Sequence, residues 1–398
     1  PNVALVKTYN TNAQVPDSAG TATAMHSGVK TRIGVLGIGP EAEKGVCKDA
    51  LAHPLPLLGE EAKRRGLALG IVTTTRLTHA TPASVYSRSA DRDWESDRDI
   101  PADQQGQGCK DIALQLAEAQ FDVALGGGSG MFYGRNGGGR RADAAADLPA
   151  QWAAKNGGVV VKDAAALAGA PMDKPVLGLF NPSHLTFMAD RKPDSPEPTL
   201  TDMTAQAIAR LKADPEGFYL MVEGGRIDHA HHAGQAGYAL EEAVEFARAV
   251  QYAVENTDPA ETLIMVTADH SHVFTIAGYP RRGNDILGLV VPPAGRGEDG
   301  GDGTSPAPAI DGKPYTTLGY ANGPGGIHKD EDGDGEHARP VPQTGLAARQ
   351  QALVPLPSET HGGEDVALFA TGPGAERARG VIEQNVIYAI IRRALGWE

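Results

Sequence analysis

Short apolar runs that alternate with helix-length amphipathic stretches constrain this chain more than any other feature. Val176 to Phe180, Phe218 to Val222 and Thr262 to Thr267 read as strands, with helical patterns at Met203 to Leu211 and Gly237 to Val254 between them. Val3 to Val6, Gly66 to Thr75 and Phe121 to Leu125 are strand-like upstream; Asp365 to Ala370 follows downstream, ahead of an amphipathic helix over Gly380 to Leu395. Strands that are apolar almost throughout are covered on both faces. The pattern therefore predicts an α/β fold, a three-layer sandwich with a central, mainly parallel sheet and helices on both faces. With 398 residues, one large domain with an insertion is expected rather than three small ones.

The texture changes after Tyr279, where Gly, Pro and Asp dominate. Leu287 to Val291 and Tyr315 to Tyr320 are the strand-like runs there, so residues 279–358 read as an inserted, loop-rich subdomain. It divides a core over residues 1–278 from the C-terminal part of that core over 359–398. Within it Asp330-Glu331-Asp332-Gly333-Asp334 opens like a calcium loop. The twelfth position falls on Val341, however, so the EF-hand pattern is incomplete and a solvated acidic loop is the simpler reading.

Thirty-six Lys and Arg against 50 Asp and Glu leave a net charge of −14, which argues against nucleic acid or an anionic membrane as partner. A phosphate substrate would need a local positive centre, such as metals or an arginine. No apolar run reaches the length of a transmembrane segment. The chain opens at Pro1 without Met or a signal peptide, so its address is not readable there. Cys47 and Cys109 are its two cysteines, and both a disulfide and two buried thiols stay open.

Chemistry concentrates in Val222 to His232. The strand ends on Glu223, Gly224-Gly225 turns the backbone, and in the helix that follows Asp228 and His232 are four apart on one face, suited to one divalent metal. His229 and His231 point elsewhere. A His-rich turn is by itself only a solvated helix start. Here, though, a second strand end, Ala268-Asp269-His270-Ser271-His272, repeats the combination, and ligands from neighbouring strand ends are how open α/β sheets build sites. Asp17-Ser18 ahead of an Ala/Thr run marks a helix N-terminus, with Ser18 either a capping hydroxyl or a nucleophile. Arg92, between Asp91 and Asp93, is either a surface ion pair or an anion clamp.

Five segments taken in order, PDSAGTATA, TTTRLTHATP, VEGGRIDHAHH, VTADHSH and ETHGGED, closely resemble the alkaline phosphatases, and their spacing is nearer the animal enzymes. The resemblance runs over nearly all of the chain. It implies hydrolysis of small phosphate monoesters by a homodimer, periplasmic or extracellular, that uses two zinc ions and one magnesium ion. Ser18 would be the phosphorylated serine and Arg92 the phosphate-binding arginine. Asp228, His232 and His361 would hold the first zinc, and Asp269, His270 and Ser18 the second. Thr81 and Glu223 would hold magnesium, with His79, His229 and His272 orienting the ligands. The resemblance also implies a Cys47–Cys109 disulfide and a crown-like insertion with Tyr279 reaching a partner subunit's site. A calcium ion of the animal enzymes would fall near Asn181 and Glu197. Family members begin with a strand whose aspartate bridges the second zinc and magnesium. This chain starts after that point, so a catalytically incomplete chain is one expectation. A phosphodiesterase or sulfatase of the same superfamily is the other alternative.

Overall fold

The computed structural model describes residues 2–295, 300–326, 339 and 341–397. Strand β1 spans Asn2–Lys7. The next five strands, β2 (Ala68–Arg76), β3 (Val123–Gly127), β4 (Val159–Val161), β5 (Val176–Leu179) and β6 (Phe218–Glu223), form one all-parallel sheet in the order β4-β5-β3-β2-β6. Alternate residues of β2 serve opposite layers. Leu69 and Ile71 pack with Ile112, Leu116, Phe121 and Trp152, whereas Ala68 and Val72 pack with Met203, Ala207 and Leu211 of the helix Leu200–Leu211. Both faces are thus covered, as apolar strands require. A capping box between Thr199 and Asp202 starts that helix, and the helix Ala236–Asn256 packs beside it.

Strand β7 (Ile264–Thr267) leads into the short β8 (Ser271–His272) and β9 (Phe274–Ile276). Residues 279–358 contribute β10 (Leu318–Gly323) and β11 (Ala352–Pro355), which with β9 make a small sheet in the order β11-β10-β9. Residues 287–291 are not a strand; the segment is held beside Tyr315 and Thr316 by an isolated bridge and a backbone hydrogen bond. The acidic run Asp330 to Asp334 lies outside the described residues. β12 (His361–Gly362) pairs antiparallel with β8, setting His361 opposite His272. β13 (Val366–Thr371) and β14 (Gly380–Glu383) complete a second sheet, β14-β1-β13-β7.

The C-terminal stretch differs from the helix expected over Gly380 to Leu395. Its first four residues are β14, parallel to β1, and the helix is Val386–Ala394. Gly380 has φ +69°, and the β-branched pair Val381-Ile382 fits a pleated ladder better than a helix start.

Cys47 and Cys109 are bridged, with Cα atoms 5.7 Å apart, and Cys47 is packed among Val35, Ile38 and Trp94. β6 has its hydrogen-bonded neighbour, β2, on one side and β7 has β13 on one side. A cleft of about 960 Å³ runs between these two edges, and its polar end is lined by Ser18, Thr81, Glu223, Asp228, Asp269 and His270.

Candidate active site

Ser18 opens the helix Ser18–Ser27, whose N-cap is Asp17; the Asp17 carboxylate accepts from Gly20 N at 3.1 Å. Gly20 packs against Asn10, where a Cβ would lie 2.1 Å from the Asn10 amide nitrogen, and Asn10 Oδ1 in turn accepts from Asp17 N. The helix start is thus clamped, and Ser18 is 7 % exposed at its tip. Its hydroxyl lies 3.1 Å from His270 Nε2.

Backbone carbonyls fix the histidine tautomers around it. His232 Nδ1 donates to Glu359 O at 2.6 Å, His361 Nδ1 to Pro16 O at 2.7 Å, and His270 Nδ1 to Ser271 O at 3.2 Å. In its neutral form each of these rings keeps the proton on Nδ1 and leaves Nε2 free to ligate. Two of these, on His232 and His361, are 3.0 Å apart, and the His270 and His361 rings stack with centroids 3.5 Å apart. At the focus sits Asp228 Oδ1, with the Nε2 atoms of His272, His361, His232 and His270 at 3.0, 3.2, 3.3 and 3.9 Å. None of these nitrogens is aligned to donate to it, so this buried oxygen has no hydrogen-bond partner among the described residues. Burial pushes the Asp228 carboxyl up, but the imidazoles of His232, His272 and His361 outweigh that and hold it well below the usual range. A carboxylate and several imidazole nitrogens directed at one point are a donor set for a divalent cation. Asp269 Oδ2 is 3.3 Å from His270 Nε2 and also accepts from Thr21 Oγ1, which places a second carboxylate beside Ser18.

Glu223, at the end of β6, is half-buried in the cleft wall; its Oε2 accepts from the hydroxyls of Thr73 and Thr75. Burial pushes its pKa up to about 7 against the pull of Thr73 and Thr81. Arg92 approaches from the other side. Its guanidinium donates to Asp17 Oδ2 at 3.1 Å and to His79 Nε2 at 3.2 Å, so its remaining donors are presented in a fixed orientation. His79 also meets the rings of His184 and His229, at 5.3 and 5.4 Å between centroids. Tyr279 is 68 % exposed after β9 and does not line the cleft.

Several contributors went unread in the sequence. Glu359, 1 % exposed, accepts from His272 Nδ1 at 2.8 Å and from Val273 N, tying the β8 and β12 ends together. With Asp228 on its other side, His272 is raised to about 9, because the two carboxylates outweigh the burial that lowers it. A carboxylate two residues before His361 was the available signal. Thr73, Thr75 and His184 carried none, since their roles depend on which strands are neighbours.

A mainly parallel sheet clothed by helices, with a serine at a helix start beside a cluster that could hold a cation, is the architecture of an α/β metal-dependent enzyme. A family model described as alkaline phosphatase matches residues 1–397. The tissue-nonspecific alkaline phosphatase of Gallus gallus is 45 % identical over 407 residues, covering 97 % of this chain and 75 % of that protein. The alkaline phosphatase of Gadus morhua is 43 % identical, covering 97 % and 81 %. Among solved structures, Thermus thermophilus alkaline phosphatase superposes with TM-score 0.71 at 25 % identity, over 100 % of this chain and 83 % of that one. The enzyme of the Antarctic bacterium TAB5 matches at TM-score 0.66 and 23 % identity, over 100 % and 89 %. The chain belongs to the alkaline phosphatase family. It is an enzyme, a phosphoric monoester hydrolase of a family that generally uses metal ions.

Proposed function

We propose that the chain hydrolyses phosphate monoesters in two steps through a phosphoserine on Ser18. The observation that carries this reading is the unpartnered Asp228 Oδ1 among imidazole nitrogens, next to a serine at a helix start that lies within hydrogen-bond distance of His270. Asp228, His232 and His361 would hold one zinc ion, Asp269, His270 and Ser18 a second, and Thr81 and Glu223 a magnesium ion. The bound cations would supply charge to stabilise the attacking and leaving oxygens of an in-line displacement and to acidify serine and water.

The residues' own parts follow from their positions. Ser18 Oγ bonds to phosphorus as the ester bond breaks and the alcohol leaves. Its place at a helix start favours the developing negative charge. Water then attacks the phosphoserine, releasing inorganic phosphate and restoring the serine. Arg92 receives two non-bridging oxygens, which a monoester leaves free, and Asp17 and His79 keep the guanidinium aimed. His79, His229 and His272 orient neighbouring groups. We place the insertion, residues 279–358, at the crown of a homodimer, with Tyr279 reaching the partner's site. The Cys47–Cys109 bridge supports an oxidising compartment, periplasmic or extracellular. Comparing hydrolysis of a nitrophenyl phosphate monoester, the bis-nitrophenyl diester and the nitrophenyl sulfate tests the reading. The monoester should be preferred by several orders of magnitude; preference for the diester or sulfate would replace it with one of those activities.

A further inference from the structure

The family resemblance points to a calcium ion beside Asn181 and Glu197, and the residues there do not fit one. Calcium needs six to eight oxygen ligands, usually including several carboxylates. Here Glu197 is surrounded by donors. Its Oε1 accepts from Asn181 Nδ2 at 2.7 Å and Thr186 Oγ1 at 3.0 Å, and its Oε2 from Thr186 N at 2.8 Å. The Asn181 amide cannot be turned to offer its oxygen instead, because that oxygen already accepts from Ser183 N at 2.9 Å.

The oxygens that remain are taken by one side chain. Arg191 Nη1 donates to the carbonyls of Glu197 and Pro198 at 3.0 and 2.9 Å, Nε reaches Thr186 O at 3.4 Å, and Nη2 lies 3.5 Å from Glu197 Oε2. Three carbonyls and a carboxylate thus face a single guanidinium, and the Arg191 and Glu197 side chains are only 8 % and 9 % exposed. This is an oxygen cage built around a cation that the chain itself supplies. Arginine suits it, since its planar donors are always charged and cost less to desolvate than a compact ion.

We propose that Arg191 serves as the structural cation of the 180–199 loop, which is therefore held without calcium. The loop matters to the site. Its Phe187 ring lies 3.5 Å beneath the Arg226 guanidinium, and its His184 packs on His229, so it braces the helix that carries Asp228 and His232.

Equilibrium dialysis of the metal-loaded full chain against radioactive calcium, up to about 1 mM, the weak end of natural calcium sites, should find no saturable uptake that depends on Glu197. In parallel, Arg191→Met should be cut by protease within residues 181–199 about tenfold faster than the parent, the effect of losing one charged anchor. Arg191→Lys should fall between, since one ammonium cannot span four oxygens. Uptake of about one calcium per chain that Glu197→Gln abolishes would overturn the proposal. So would an Arg191→Met chain as protease-resistant as the parent. Absence of saturable uptake is read on the unmutated chain, so that result stands even if a variant folds poorly.

Discussion

Asp17 has two separable tasks, and two substitutions can pull them apart. One carboxylate oxygen caps the helix Ser18–Ser27 through Gly20 N, and the other holds Arg92 Nη1 at 3.1 Å. Asparagine caps a helix as well as aspartate, so Asp17→Asn should keep the first task and lose the second, while Asp17→Ala loses both. A hydrogen bond to a charged group contributes roughly 1.5–3 kcal/mol. The Arg92 and Asp17 side chains are 19 % and 12 % exposed, so solvent screening trims this to about 1–2 kcal/mol. That energy is what keeps the guanidinium aimed, so its loss should raise both KM for nitrophenyl phosphate and the inhibition constant of inorganic phosphate by about tenfold. The two should move together because substrate and product present the same oxygens to Arg92. Denaturant titration should then find Asp17→Ala less stable than Asp17→Asn by about 1 kcal/mol, the worth of the cap. An Asp17→Asn enzyme with unchanged KM and phosphate inhibition would show that Arg92 needs no help from Asp17. Equal stability of the two variants would show that the cap is idle.

Replacing both Cys47 and Cys109 with alanine opens a loop closed over a sequence separation of 62, which the chain-entropy argument puts at about 4 kcal/mol. The denaturation midpoint should fall accordingly, and the unfolded, unreduced parent should titrate no thiols; two thiols would refute the bridge. His361→Ala should lower bound metal by about one ion per chain in elemental analysis, and unchanged content would remove His361 from the centre. Burial lowers His26 to about 4 from its ordinary 6.5, so it stays neutral in the fold while the unfolded chain takes up the proton first. Its contribution is complete above pH 6.5 and is lost as pH falls toward 4, reaching about 3 kcal/mol. His26→Gln should flatten that part of the stability profile relative to the parent; identical slopes would show that another group governs it.

The parallel sheet was legible because β2, β3, β5 and β6 are apolar on both faces, a pattern that names the environment directly. The boundary at Gly380 was not, since amphipathic spacing over the last stretch suits a helix and only pairing with β1 makes β14 a strand. The residues of the cluster were legible as types at strand ends: Asp228 and His232 on one helical face, Asp269 and His270 after β7. Their meeting with His361 depends on the antiparallel register of β8 and β12, which no local pattern encodes. Glu359, Thr73 and Thr75 were hidden for the same reason. Nothing in the sequence singles out Arg191; only the carbonyls of Thr186, Glu197 and Pro198 converging on it reveal its surroundings.

Covalent attachment of phosphate to Ser18 can be read directly. The metal-loaded enzyme, mixed with a phosphate-labelled monoester and quenched in acid, should retain label on the peptide containing Ser18. Ser18→Ala should retain none while keeping the ion held by Asp228, His232 and His361, as read by elemental analysis. Equal labelling of the Ser18→Ala variant, or label found on a different peptide of the parent, would contradict the account.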